Sequence, residues 1–167
     1  MGKIVVDADA CPVKEEVSRA AVRFGVPAWM VSSWDHRLPE LPGVTNIQVD
    51  AGKDSVDLFI ANRLSPGDVL VTGDYGLAAL ALARRSAVLT PRGRMLTNAN
   101  IGQLLSERHE SAKFRRAGGR AKGPKPFTAE DRDRFLQALT KLLAQMQENG
   151  EKNANNRLAK PETGDQA

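Results

Sequence analysis

Near the start of the chain stands Lys3-Ile4-Val5-Val6-Asp7-Ala8-Asp9-Ala10-Cys11-Pro12. A short apolar run that stops at two acids reads as a buried strand, and Pro12 suits the first turn of a following helix. Ligands of open α/β sheets bind outside the carboxyl ends of the strands, so Asp7 and Asp9 are expected at the mouth of a site. Two further units repeat the pattern. Val69-Leu70-Val71-Thr72-Gly73-Asp74 runs from apolar residues to an acid ahead of a helical stretch, and Asp54-Ser55-Val56-Asp57 opens a helix after the strand-like residues 44–49. Asp54 and Asp57 are three apart and would share a helix face.

In a parallel sheet the three units converge on one edge and crowd Asp7, Asp9, Asp54, Asp57 and Asp74 into a small volume. Like charges that close do not all stay ionised unless a cation joins them. Oxygen ligands with no matching histidine or thiol set favour Mg2+ or Mn2+ over zinc. Such a site polarises a phosphodiester and activates a water for in-line attack. Each acid also has a plainer reading: Asp54 as an N-cap, Asp57 as a first-turn acid favoured by the helix dipole, Asp9 as a cap of the first helix. Asp7 and Asp74, directly after apolar strands, fit that reading least.

A chain of 167 residues predicts one domain with a sizeable core. The expected order is strand 3–6, helix 12–24, strand 27–33, strand 44–49, helix 54–64, strand 68–72, helix 76–85 and strand 86–90. That alternation predicts an α/β domain with a mostly parallel central sheet and helices on both faces. No signal peptide or membrane-length apolar run is read, so the expectation is a cytoplasmic protein with no membrane partner. The lone Cys11 matches a reducing compartment. It reads as a packed thiol more than a nucleophile, because His36 and His109 lie far off in sequence. Trp29 is expected in the core.

The net charge is +4, and it is not evenly spread. Between residues 108 and 125 stand Arg108, Lys113, Arg115, Arg116, Arg120, Lys122 and Lys125 against Glu110 alone, which leaves the rest of the chain negative. Gly118, Gly119 and Gly123 loosen the stretch, so it is read as a mobile arm that binds phosphate backbone, with a solvated charged loop as the plain alternative. A last helix follows over 128–146: Thr128 caps it, Asp131 takes the capping-box position, and Phe135, Leu136, Leu139, Leu142 and Leu143 form an apolar stripe expected to pack on the core. The domain is thus read as residues 1–146, with 147–167 as a disordered tail poor in large apolar residues.

These segments resemble the YaiI/YqxD family of bacterial proteins, itself similar to the PIN-like nuclease superfamily. The resemblance runs from about Ile4 to Leu143 and rests on Val6-Asp7-Ala8-Asp9-Ala10-Cys11-Pro12-Val13-Lys14, Val71-Thr72-Gly73-Asp74-Tyr75-Gly76-Leu77-Ala78, Arg92-Gly93, Asn100-Ile101, Arg108-His109, Gly123-Pro124 and Asp131-Arg132. Tyr75-Gly76-Leu77-Ala78 stands where the YaiI-like branch often has Ile-Pro-Leu-Ala, so the chain resembles the YqxD branch more. The resemblance implies a three-layer PIN-like fold and an acidic triad falling on Asp7, Asp57 and Asp74, with Asp9 and Asp54 in support. Many related nuclease domains place a further acid where this chain has Gly76, so a second metal would need Asp9 or Asp54.

The function expected is a divalent-metal-dependent nuclease, with RNA ahead of DNA as substrate. Two other classes stay open. A nucleic-acid-binding protein without turnover would use the basic arm alone. A phosphohydrolase of the haloacid dehalogenase type would use Asp7 as nucleophile, since Asp7-Ala8-Asp9 after a strand resembles its nucleophile and acid pair. Aromatic residues are sparse, with Trp29, Trp34 and Tyr75 the candidates for base stacking beyond the phenylalanines, which argues against base-specific readout.

Overall fold

The computed structural model describes residues 2–33, 37–50, 55–120, 123 and 125–159; Trp34, His36, Asp54 and Lys122 lie outside them. Eleven elements follow in order: β1 (Ile4–Asp7), α1 (Lys14–Phe24), β2 (Ala28–Ser33), β3 (Val44–Val49), α2 (Ser55–Arg63), β4 (Val69–Val71), α3 (Tyr75–Ala83), β5 (Ala87–Leu89), β6 (Met95–Leu96), α4 (Ile101–Arg116) and α5 (Ala129–Ala159). The strands form one six-stranded sheet in the order β3-β2-β1-β4-β5-β6, parallel throughout except for the antiparallel β5–β6 pair. The result is the three-layer, mostly parallel α/β arrangement expected of a PIN-like domain, with added C-terminal helices.

The unbroken apolar runs are explained by burial on both faces of the sheet. Ile4 and Val6 of β1 point into a core shared with α1 and α5, whereas Val5 points into a second core with α2, α3 and α4. Strand β4 alternates likewise, with Val69 and Val71 in the first core and Leu70 in the second. The stripe of α5 packs as expected: Phe135, Leu139 and Leu143 are fully buried in the first core.

The chain winds outward from β1 to β2 and β3, then returns across β1 to β4 and β5. The gap between β1 and β4 is therefore the topological switch point, where such sheets bind ligands. Val6 pairs with Val71, which sets Asp7 beside Thr72 at that gap.

Two expectations need correction. The basic stretch is not a loose arm from Arg108 onward, because α4 carries on to Arg116 and only the residues after it leave the helix. The helix ends in a Schellman pattern: Gly118 N–H donates to the Arg115 carbonyl and Gly119 N–H to that of Phe114, with Gly118 at φ 89°. The tail also differs from the disorder expected from residue 147. Helix α5 runs on to Ala159 with residues 148–159 exposed. Adding turns to a helix already nucleated by packing needs no new nucleus, and a Glu148–Lys152 pair at 2.9 Å supports the extension. The two-residue strand β6 was not foreseen at all.

Candidate functional site

Asp7 closes β1 at the switch point, and its carboxylate lies mostly out of solvent. Among the described residues it receives one hydrogen bond, from the Thr72 hydroxyl to Oδ2 at 3.0 Å. Burial pushes its pKa from an ordinary 3.8 to about 6; the Thr72 bond opposes the rise, while the charges of Asp57, Asp9 and Asp74 add to it. Three of the other four acids singled out by sequence thus share one field with Asp7. Asp54 lies outside the described residues.

Each neighbour is set by its own element. Asp57 stands in the first turn of α2. Asp9 does not cap α1, whose N-cap is Val13 with no side-chain bond. Its Oδ1 instead accepts the Ser33 N–H at 3.1 Å, tying the β1–α1 turn to the end of β2. Asp74 caps α3: Oδ1 accepts Gly76 N–H at 2.8 Å and Leu77 N–H at 3.1 Å. Arg108 of α4 also reaches Oδ1, at 3.6 Å. All these contacts fall on one oxygen.

Thr72 is the residue that sequence reasoning missed. Its hydroxyl donates to Asp7 and accepts the Asp74 N–H at 3.0 Å, so it joins the two strand-end acids. The signal was present as a polar residue between the apolar run of β4 and Gly73-Asp74.

Asp68 shows what a structural acid looks like in this fold. It sits at the opposite edge of the sheet, buried, with Lys3 Nζ at 2.6 Å and the N–H groups of Lys3 and Ser65 at 3.0 and 2.8 Å. A cation neutralises it. Asp7 has acids around it where Asp68 has a lysine.

Among the described residues, which leave out Asp54, no group of three or more His, Cys, Asp or Glu side chains is placed to hold a metal ion. The carboxylates share a field without a formed three-ligand shell. Mg2+ is compatible with such an arrangement, since it keeps several waters and is commonly held by one or two carboxylates plus substrate phosphate. Cys11 is buried in the first core, which raises its thiol pKa to about 11. It is a packed thiol.

The basic residues are arranged along α4 and beyond it. Arg108, Lys113, Arg115, Arg116 and Arg120 are exposed, Lys125 is exposed with its carbonyl accepting from Arg92, and Lys122 lies outside the described residues. Of these, Arg108 reaches the acidic site directly. Trp29 is half-buried on β2, beneath the Lys3 ammonium at 4.9 Å. No helix among the described residues is long and apolar enough to cross a membrane.

A family model described as "Uncharacterized BCR, YaiI/YqxD family" matches residues 5–145. A UPF0178 protein of Halalkalibacterium halodurans is 44% identical over 142 residues, spanning 85% of this chain and 90% of its own. UPF0178 proteins of Bacillus cereus and Bacillus mycoides are each 45% identical over 144 residues, 85% of this chain and 99% of theirs. No solved structure matches the chain. The match covers the sheet from Val5 onward, every acid named above and the capping box of α5, and on it the chain belongs to the YaiI/YqxD family.

Proposed function

We propose that the protein is a divalent-metal-dependent nuclease that hydrolyses phosphodiester bonds of RNA or DNA at the β1–β4 switch point. The observation that carries this reading is the electrostatics of Asp7: a desolvated carboxylate surrounded by Asp57, Asp9 and Asp74. Folding brings like charges together there at a cost, and a site that takes a cation relieves that cost. Asp7, Asp57 and Asp74 would hold Mg2+ or Mn2+, with Asp9 in support. The metal would supply Lewis-acid polarisation of the phosphate and a lowered pKa for a bound water.

The chain's own residues do the positioning. Thr72 fixes Asp7 Oδ2 and holds the Asp74 backbone, so the two acids keep one spacing. Arg108, beside Asp74 at the rim, would meet the negative charge of an incoming phosphate. The further cations of α4 would attract the backbone of the same strand.

Labelled RNA and DNA oligonucleotides, incubated with the protein across a titration of Mg2+ and Mn2+, test the proposal. Metal-dependent cleavage is expected, reduced on the order of a hundredfold or more by Asp7→Asn or Asp74→Asn, with binding retained. Binding without cleavage under any divalent metal would replace the nuclease by a binding protein. A covalent phospho-aspartate at Asp7 would instead make the protein a phosphohydrolase.

A further inference from the structure

We infer that a groove beside the acidic site binds single-stranded nucleic acid, with Arg94 on a backbone phosphate and Tyr75 and Phe127 against the bases. The inference rests on the phosphodiesterase reading and deepens it. The groove has a volume of about 600 Å³ and is walled by Gly73, Tyr75, Thr90, Arg92, Arg94 and Phe127. Gly73 and Tyr75 flank Asp74 in the chain, which sets the groove next to that acid. A strand lying in it would present its next phosphodiester to the acidic site.

The walls are held in place before any ligand arrives. Thr90 Oγ1 accepts the Arg94 N–H at 3.1 Å, which locks the turn between β5 and β6. Gly93, at φ 86°, lies so close to α5 that a Cβ there would sit 2.8 Å from the Arg134 backbone. Arg92 donates to Asp131 Oδ2 at 2.9 Å and to the Lys125 carbonyl, and its guanidinium stands 5.6 Å from the Phe127 ring. Arg92 is thus a fixed wall, sharing the Asp131 carboxylate with Arg134. The exposed Arg94 has no side-chain partner among the described residues, so its full charge is available for a phosphate.

The class of ligand follows from the wall chemistry. One available guanidinium beside two half-buried rings suits a phosphate with a base next to it. Rings reach base faces only where those are unstacked, so a single strand is bound and a duplex is not. Nothing in the walls reads base edges, and little sequence preference is expected.

The test is fluorescence anisotropy with end-labelled oligouridylate and oligodeoxythymidylate in EDTA, where no hydrolysis intervenes. Arg94→Ala should weaken binding about five- to tenfold and lower the log–log salt slope by roughly 0.7, as loss of one phosphate contact to a single strand requires. Arg94→Lys should restore most of the slope, and Arg23→Ala on α1 should bind as the native protein does. A 4-thiouridine oligonucleotide should photo-crosslink to Tyr75 or Phe127 in the native protein, a readout independent of any variant's folding. Unchanged affinity and slope in Arg94→Ala, crosslinks confined to other segments, or a duplex bound as tightly as the single strand would overturn the groove. Cleavage that persists while Arg94→Ala binds normally removes the groove alone. Binding through Arg94 with no cleavage under any metal removes the nuclease reading alone.

Discussion

Replacing Asp7 by Asn should make the protein more stable at neutral pH. Folding raises the Asp7 pKa from 3.8 to about 6, so the folded chain holds this proton more tightly than the unfolded chain does. Its contribution to stability is fully present below pH 3.8 and is lost as pH rises through about 6. Above that, the ionised carboxylate opposes folding by about 2–3 kcal/mol, from the conversion of about 1.4 kcal/mol for each pH unit between the two values. An Asn side chain has nearly the same shape, keeps an oxygen to accept the Thr72 hydroxyl, and carries no charge against Asp57, Asp9 and Asp74. Urea denaturation of both proteins in EDTA at pH 4 and pH 7.5 measures the difference. The midpoint of Asp7→Asn should exceed the native one at pH 7.5 and fall close to it at pH 4, with equal slopes. An Asn variant less stable than the native protein at pH 7.5, or a difference that ignores pH, would refute the reasoning and make Asp7 a structural acid like Asp68.

Asp131, held down to about pKa 2 by the Thr128 N–H, Arg134, the Thr128 hydroxyl and Arg92, behaves in the opposite sense. Its contribution is present above pH 3.8 and is lost as pH falls through about 2, so Asp131→Asn should lower the melting temperature at pH 7 by a margin that shrinks on acidification. The Cys11 thiol should react with Ellman's reagent far more slowly in the native protein than in urea, and Cys11→Ala should keep whatever cleavage the native protein has; fast native labelling would contradict the packed-thiol assignment. Arg115→Ala, Arg116→Ala and Lys122→Ala combined should weaken binding to all single-stranded sequences alike, with the salt slope falling by up to about 0.7 per lost phosphate contact; an unchanged slope would exclude these residues from the interface.

The central strands were readable because burial on both faces leaves an unbroken apolar run, and a strand-end acid stands out against it. Asp7 and Asp74 are legible as strand-end acids for that reason. The sequence pattern could not show that Asp74 also caps α3, since a cap and a ligand place the same residue type at the same position. It missed Thr72 because a single hydroxyl at a strand end has no period or spacing to mark it. The basic residues of α4 read as a loop because a charge run with glycines after it carries no helical stripe. The cations in fact extend a helix anchored by Ile101 and Leu104, and basic residues in its last turn suit the carboxyl-terminal end of the dipole. The two residues of β6 are too few to show alternation.

A metal-dependent nuclease at this site requires that the carboxylates gathered around Asp7 form one divalent cation site. Water-proton relaxation during Mn2+ titration of the metal-free protein at pH 7.5 tests it without reference to any substrate. The expected result is one saturable site per chain that Mg2+ displaces and that is lost in both Asp7→Asn and Asp74→Asn. Saturable binding left intact by Asp7→Asn, or only weak, non-saturable binding to the native protein, would contradict it.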